Sequence, residues 1–320
     1  MPSTVLILAA PDDGESWHVT EELRRRGHRP VLFDLSDFPH RASLDARLGP
    51  TGWDGRLSTP DTSVELADIT AVYHRRCPPF DLPEAMTDDE QRFARVEGRF
   101  GLGGVLAGLP AHWVSHPSAV ADAEYKPVQY AAAARVGLTL PPTWIGNTPD
   151  AARAFLAEQG GSGVYKPLMH KLVSDQGQAR LIYTTPTGES EIDERVSATT
   201  HQFQQRISTA CDVRALITRT RCEAVAIKNV DGSPPFVDYR AHYDALAYER
   251  TLLEPDTIVR AQRLLTELGL ASGVFDFAMT AGGRTIYYEV NPAGQWAWLM
   301  EATGAPMTQL ICDELTGTAT

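Results

Sequence analysis

The chain has 320 residues, 43% of them apolar and 22% charged, which is the balance of an ordinary globular protein of roughly two domains. A formal net charge of −12 argues against a nucleic-acid partner, because nonspecific affinity for that backbone comes from Lys and Arg neutralising phosphates. Cys77, Cys211, Cys222 and Cys312 form no C-x-x-C pair, so a cysteine-built zinc site is not expected and disulfides are not demanded.

The opening residues, "MPSTVLILAAPDDG", lack a charged stretch, and their apolar run is too short for a signal peptide or membrane span. A cytoplasmic location without a membrane partner is expected. "TVLILAA" (4–10) reads as a buried strand. "ESWHVTEELRRRGH" follows with helical spacing and a terminating Gly27, its Arg24-Arg25-Arg26 a solvated face. "PVLFDL" is a second strand and "ADITAVYHRR" (67–76) a third, together a β-α-β arrangement. The turn after the first strand has no G-x-G-x-x-G, so a dinucleotide fingerprint is absent. "EQRFARVEGRFGLGGVLAGL" (90–109) predicts a helix whose glycines permit close packing. No Lys-Ser/Thr follows its "GLGG", which excludes a phosphate loop there. A composition shift near 116–120 marks the first domain boundary.

Strands dominate from there: "GVYKPL" (163–168), "ARLIYTT" (179–185), "HQFQQRI" (201–207), "DVRALIT" (212–218) and "CEAVAIK" (222–228). "PDTIVRAQRLLTELGL" (255–270) is an amphipathic helix. "GVFDFAMTAGGRTIYYEVN" then reads as a hairpin about a two-residue Gly282-Gly283 turn. Pairing outward from that turn sets Met279 against Ile286 and Asp276 against Glu289, with Asn291 on the same face beside Val274. Carboxylates facing each other across a strand pair repel, so something must offset them. A divalent ion would do so, since Asp276, Glu289 and Asn291 offer three hard oxygen ligands and Mg²⁺ completes its shell with water and phosphate. Phosphates need cations. Lys126 opens an alanine-rich helix, and Lys166 stands within an apolar strand where burial is costly without an anion. Arg214 and Lys228 add two more.

In this order the pieces resemble the ATP-grasp superfamily, most specifically at "VFDFAM" and "YYEVNPAGQW". The resemblance implies an α/β fold with an N-terminal pre-ATP-grasp domain (1–118), a central subdomain with a phosphate lid (119–203) and a C-terminal subdomain with the Mg²⁺ site (204–320). The nucleotide would be sandwiched between two mixed or antiparallel sheets. It also implies that Lys126 and Lys166 contact the ATP phosphates, with Lys228 a further cofactor-binding cation, and that the adenine hinge is "FQQRI", with Gln205 beside the backbone contacts of Arg206 and Ile207. Asp276, Glu289 and Asn291 would hold Mg²⁺, and Arg214 would reach the transferred phosphate. Many relatives carry Glu where Gln205 stands. The lid, "HKLVSDQGQAR" (170–180), offers only Gly177.

Within the superfamily the chain is most similar to the graspetide (microviridin-type) peptide maturases, through "YKPL", "CDVRALI", "AIKNVDGSPPFVDYR" and "EVNPAGQWAWLM". That likeness implies ATP-dependent closure of Asp or Glu side chains onto Thr, Ser or Lys side chains of a precursor peptide with a leader, giving ester or amide rings. Asp212 and Arg214 match the Asp-x-Arg motif of such enzymes, and Asp238 with Arg240 repeats it. Asp212 and Asp238 are both candidates for the base, and Arg240 could clamp a substrate carboxylate. Relatives suggest a homodimer. Two other readings use the same frame: a carbon–nitrogen ligase adding an amino acid to a peptide end, and an ATP-binding regulatory protein without turnover.

Overall fold

The structure, a computed structural model, describes residues 2–169, 172–175 and 178–317, with backbone alone described at 172–175 and 178–180. The N-terminal third runs β1 (Thr4–Leu8), α1 (Gly14–Arg25), β2 (Arg29–Phe33), β3 (Ser43–Gly49), β4 (Gly52–Ser58), β5 (Ser63–Glu65), β6 (Ile69–His74), α2 (Asp88–Ala107) and β7 (His112–Val114). The middle holds α3 (Pro117–Ala123), α4 (Lys126–Arg135), β8 (Thr143–Gly146), α5 (Pro149–Glu158), β9 (Ser162–Tyr165), β10 (Leu172–Asp175), β11 (Gln178–Leu181), β12 (Thr185–Gly188) and β13 (His201–Gln204). Last come β14 (Cys211–Thr218), β15 (Cys222–Asn229), β16 (Leu246–Thr251), α6 (Pro255–Glu267), β17 (Ser272–Met279), β18 (Thr285–Asn291), α7 (Ala297–Thr303) and α8 (Met307–Thr316).

The first sheet is parallel, in the order β2-β1-β6-β7. Val5, Leu6 and Ile7 are buried in succession, as expected of a parallel strand covered on both faces. α1 starts on Asp13, whose side chain accepts from the Ser16 amide at 2.7 Å. An antiparallel β3-β4-β5 sheet has no clear signal in the sequence, because "LDARL" and "WDGRL" dilute their apolar alternation with charge and glycine. The middle sheet, β12-β9-β13-β8, is covered by α5 through Ala152 and Leu156.

The five-stranded sheet, β16-β15-β14-β17-β18, is antiparallel throughout. One face packs α4 and α6 over Phe275, Phe277 and Val213. Its other face joins Leu216, Val225 and Val274 to Ile7 and Val19 of the first sheet layer through Trp296 and Ile311, so the two ends of the chain share one apolar core.

The hairpin departs from the expected two-residue turn. Near the loop, Met279 pairs with Thr285 and Ala278 with Ile286, one residue out of the predicted register. Thr280 donates its amide to the Arg284 carbonyl at 2.9 Å, which leaves Ala281, Gly282 and Gly283 as a three-residue loop with Gly283 at φ 78°. A bulge between Asp276 and Phe277 on one strand and Tyr287 and Glu289 on the other absorbs the offset at Tyr288. Asp276 therefore does lie opposite Glu289, and Val274 opposite Asn291. The expected pairing holds through two compensating irregularities.

Strand ends also differ from expectation. Lys166 follows β9 rather than sitting within it, β13 stops at Gln204, and the 179–185 run divides into the end of β11 and the start of β12. Among the described residues the four cysteines are free thiols, and no helix is long and apolar enough to cross a membrane.

Candidate functional site

α4 positions the first cation. Lys126 is its first residue and only 7% exposed. A buried ammonium at a helix N-terminus meets the positive end of the macrodipole and needs an anion. Glu289, 2% exposed on β18, supplies it: the Lys126 Nζ donates to Glu289 Oε2. One turn on, Gln129 locks the same strand, its Nε2 donating to the Val290 carbonyl at 2.8 Å and its Oε1 accepting the Val290 amide at 3.0 Å. The Lys166 Nζ, on a residue 8% exposed, lies 3.7 Å from Glu289 Oε2 and 5.6 Å from the Tyr288 ring centroid. Two lysines, one opening α4 and one just past β9, thus converge on one carboxylate.

Across the hairpin, Asp276 is held by Arg214 from β14. The Arg214 Nη1 donates to Asp276 Oδ1 at 2.6 Å, while its Nε and Nη2 donate to the Gln295 carbonyl at 3.2 and 3.0 Å. The Asn291 Nδ2 donates to Asp276 Oδ2 at 3.2 Å. Arg214 and the two lysines therefore stand beside the opposed carboxylates from within the protein. As a donor set, two carboxylates and an amide suit a hard cation that takes its remaining oxygens from phosphate and water. Among the described residues no cluster of three or more His, Cys, Asp and Glu forms an all-protein metal site. The fit is to Mg²⁺ arriving with a nucleotide.

A cavity of about 310 Å³ opens between the middle sheet and the five-stranded sheet, lined by Lys166, Asp212, Asp276, Tyr288 and Glu289. Gln205, Arg206 and Ile207 form one edge; the Gln205 amide donates to the Pro142 carbonyl at 2.9 Å, continuing β13's hold on the segment before β8. The loop between β15 and β16 forms another wall through Phe236, Asp238 and Arg240. Burial raises the Asp212 carboxyl to about 7, with the nearby charges of Asp276 and Asp238 adding to the shift. Asp238 behaves oppositely. Burial would raise it, but the Arg240 guanidinium outweighs that and holds it below its ordinary value.

Asp238 and Arg240 are bound to each other, Nε to Oδ1 and Nη2 to Oδ2, both at 2.7 Å. Asp238 Oδ2 also accepts the Thr184 amide at 3.0 Å, tying the loop to the segment leading into β12. The Arg240 fork, a candidate clamp for a substrate carboxylate, is bound to Asp238 in this structure.

Lys228 is placed differently from the expectation. Its neighbour Ile227 pairs with Asp212, so Lys228 points to the opposite face, where its Nζ meets Glu249 at 2.8 Å on the surface. It does not reach the cavity. Gly177 of the expected lid lies outside the described residues. Sequence reasoning missed Tyr288, Thr184 and the Pro234–Phe236 wall, which only the bulge and the loop's path bring to the cavity. The "PPF" run, adjacent to "VDYR", was the one available signal.

The MvdD pre-ATP grasp domain model matches residues 4–121. A comparison with curated proteins finds no match. Among solved structures, macrocyclase MdnC from Microcystis aeruginosa MRC, bound with precursor peptide MdnA, superposes with a TM-score of 0.84 at 25% identity, covering 98% of this chain and 99% of that one. A Chryseobacterium gregarium RiPP-associated ATP-grasp ligase, in complex with ADP and a leader and core peptide, reaches 0.89 at 22% identity over 99% and 98%. ATP-grasp ligase PsnB, complexed with a phosphomimetic variant of a minimal precursor, Mg and ADP, reaches 0.76 at 24% identity over 100% of both chains. The chain therefore has the ATP-grasp fold behind an MvdD-type pre-ATP-grasp domain, and it is built like macrocyclases and RiPP-associated ATP-grasp ligases solved in complex with precursor peptides.

Proposed function

We propose that this protein is an ATP-dependent ligase that activates Asp or Glu side chains of a ribosomally made precursor peptide as acyl phosphates and closes them onto Thr, Ser or Lys side chains. The observation that carries the reading is the convergence of Lys126, Lys166 and Arg214 on the opposed pair Asp276 and Glu289 at the edge of one cavity. Such a concentration of buried charge suits a polyphosphate better than it suits stability, because buried ion pairs contribute little net stabilisation. The fold shared with MdnC and the other peptide ligases supports the same class of reaction.

In the proposed reaction a precursor carboxylate attacks the γ-phosphorus of ATP, the bond to the bridging oxygen breaks, and ADP leaves. Lys126 and Lys166 offset charge on the transferred group, and the backbone of Arg206 and Ile207 faces the adenine. Mg²⁺, held by Asp276, Glu289 and Asn291, would supply further neutralisation of phosphate charge when bound. A precursor hydroxyl or amine then attacks the acyl carbon and phosphate departs, with Arg214 balancing its charge. Asp212 takes the proton of the attacking group. Its carboxyl is poised near neutral pH, whereas Asp238 is committed to Arg240 and Thr184. In this reading Asp238 and Arg240 shape the wall of the peptide site.

The test is incubation with ATP, Mg²⁺ and the precursor. Loss of one water mass per bond is expected. A product heavier by an amino-acid residue would instead identify a ligase that extends peptide ends, and an unchanged mass alongside ADP release would exclude ring closure.

A further inference from the structure

The C-terminal edge of a parallel sheet is where α/β proteins commonly form a ligand crevice. Here part of that edge is filled by the chain itself. Arg75 directly follows β6 and is 3% exposed. Its Nη2 reaches Glu15 Oε2 at 2.9 Å and Asp13 Oδ2 at 3.2 Å, its Nε reaches Asp13 Oδ1 at 3.3 Å, and its Nη1 donates to the Gly294 carbonyl at 3.2 Å. Glu15, 4% exposed, turns its other oxygen to the same segment, where Oε1 accepts the Trp296 amide at 2.8 Å and the Ala297 amide at 3.1 Å.

This segment immediately follows β18 and its proposed ligand Asn291. Between Gly294 and Trp296 lies Gln295, whose carbonyl takes the two bonds from Arg214 that aim this guanidinium at Asp276. Gly294 packs so closely that a Cβ there would stand 2.7 Å from the Val274 Cβ and 3.0 Å from the Asn291 Cβ. The turn has no slack. Whatever fixes Gly294 and Trp296 also fixes the Gln295 carbonyl and the end of β18.

We infer that Arg75, with Asp13 and Glu15, is a positioning residue: the N-terminal domain clamps the 292–296 turn and thereby holds Arg214, Asp276 and Asn291 in the geometry that receives a metal-bound nucleotide. The inference rests on the proposed function. A cluster that only glued two layers together would need neither the Gly294 carbonyl nor the two amides that follow Gln295. Arg75 touches no reacting atom and acts through the turn.

The experiment measures ADP affinity by calorimetry with and without Mg²⁺ and takes the ratio, using wild type, Arg75→Met, Glu15→Ala, Glu15→Gln and the core control Leu23→Ala. Arg75→Met and Glu15→Ala are expected to lower the ratio about tenfold to a hundredfold, the range for losing the outer partners of metal ligands. Glu15→Gln keeps an oxygen facing both amides but turns an NH₂ donor toward Arg75, so its ratio should fall less than that of Glu15→Ala. Leu23→Ala should lower the melting temperature without moving it. If Arg75→Met fails to fold, the Glu15→Ala and Glu15→Gln pair carries the comparison. A wild-type ratio in Glu15→Ala, or an equal fall in Leu23→Ala, overturns the inference alone. A wild-type protein that binds no ADP overturns the proposed function with it.

Discussion

Lys126 is the residue whose sequence context says least and whose tertiary setting says most. A lysine opening a helix is ordinarily solvated, and nothing in "AEYKPVQY" forbids that. Its burial against Glu289 is decided 163 positions away in the chain. Asp212 is similar: its motif was legible, but not the apolar and anionic surroundings that lift its carboxyl to about 7. That shift has a kinetic consequence. Below pH 7 Asp212 holds its proton and cannot accept another, so ring closure should rise with pH up to about 7 and level off above it. Asp212→Asn should remove this limb and slow closure about 10²- to 10⁴-fold, read from single-turnover rates across pH. A pH profile left intact in that variant would transfer the role elsewhere.

At the scale of elements, the hairpin β17-β18 carries the lesson. The Gly282-Gly283 pair correctly marked a tight connection, and the pattern of "VFDFAM" against "IYYEVN" correctly opposed Asp276 to Glu289. The path between was different, because a three-residue loop offsets the pairing by one residue and a bulge at Tyr288 restores register. Bulges are invisible to period-two reasoning, since they insert one residue without altering composition. The loop itself depends on Gly283, where φ is 78° and an added methyl group would meet no atom within 4 Å. Gly283→Ala should therefore cost about 1 kcal/mol from left-handed backbone strain rather than from clash. Urea unfolding would measure it, and ADP binding should be unaffected because the bulge lies between the loop and the site.

For the molecule as a whole, the shared core is the governing feature. α8 packs on α1, and Asp313 takes charged bonds from Arg26 of the first layer at 2.6 Å and from Arg221 beside the five-stranded sheet at 2.5 Å. Ile311 is buried where these layers meet. Ile311→Ala should cost roughly 2–5 kcal/mol through lost burial and a residual cavity. Because both ends of the chain use this core, the loss should lower a single unfolding transition followed by probes at either end. Two separated transitions, with the C-terminal sheet unaffected, would contradict it.

Local pattern by itself determined the β-α-β start, the 212–218 and 222–228 strands and the final hairpin, the Asp276–Glu289 opposition and the likeness to ATP-grasp peptide ligases, because apolar periodicity and short motifs are carried by neighbouring residues. Only the tertiary structure decided that Lys126 is buried, that Lys228 faces away, that Arg240 spends its fork on Asp238, and that Arg75 reaches Gly294. Each of those depends on what stands opposite a side chain from a distant element, and burial and charge pairing are properties of that meeting rather than of either partner alone.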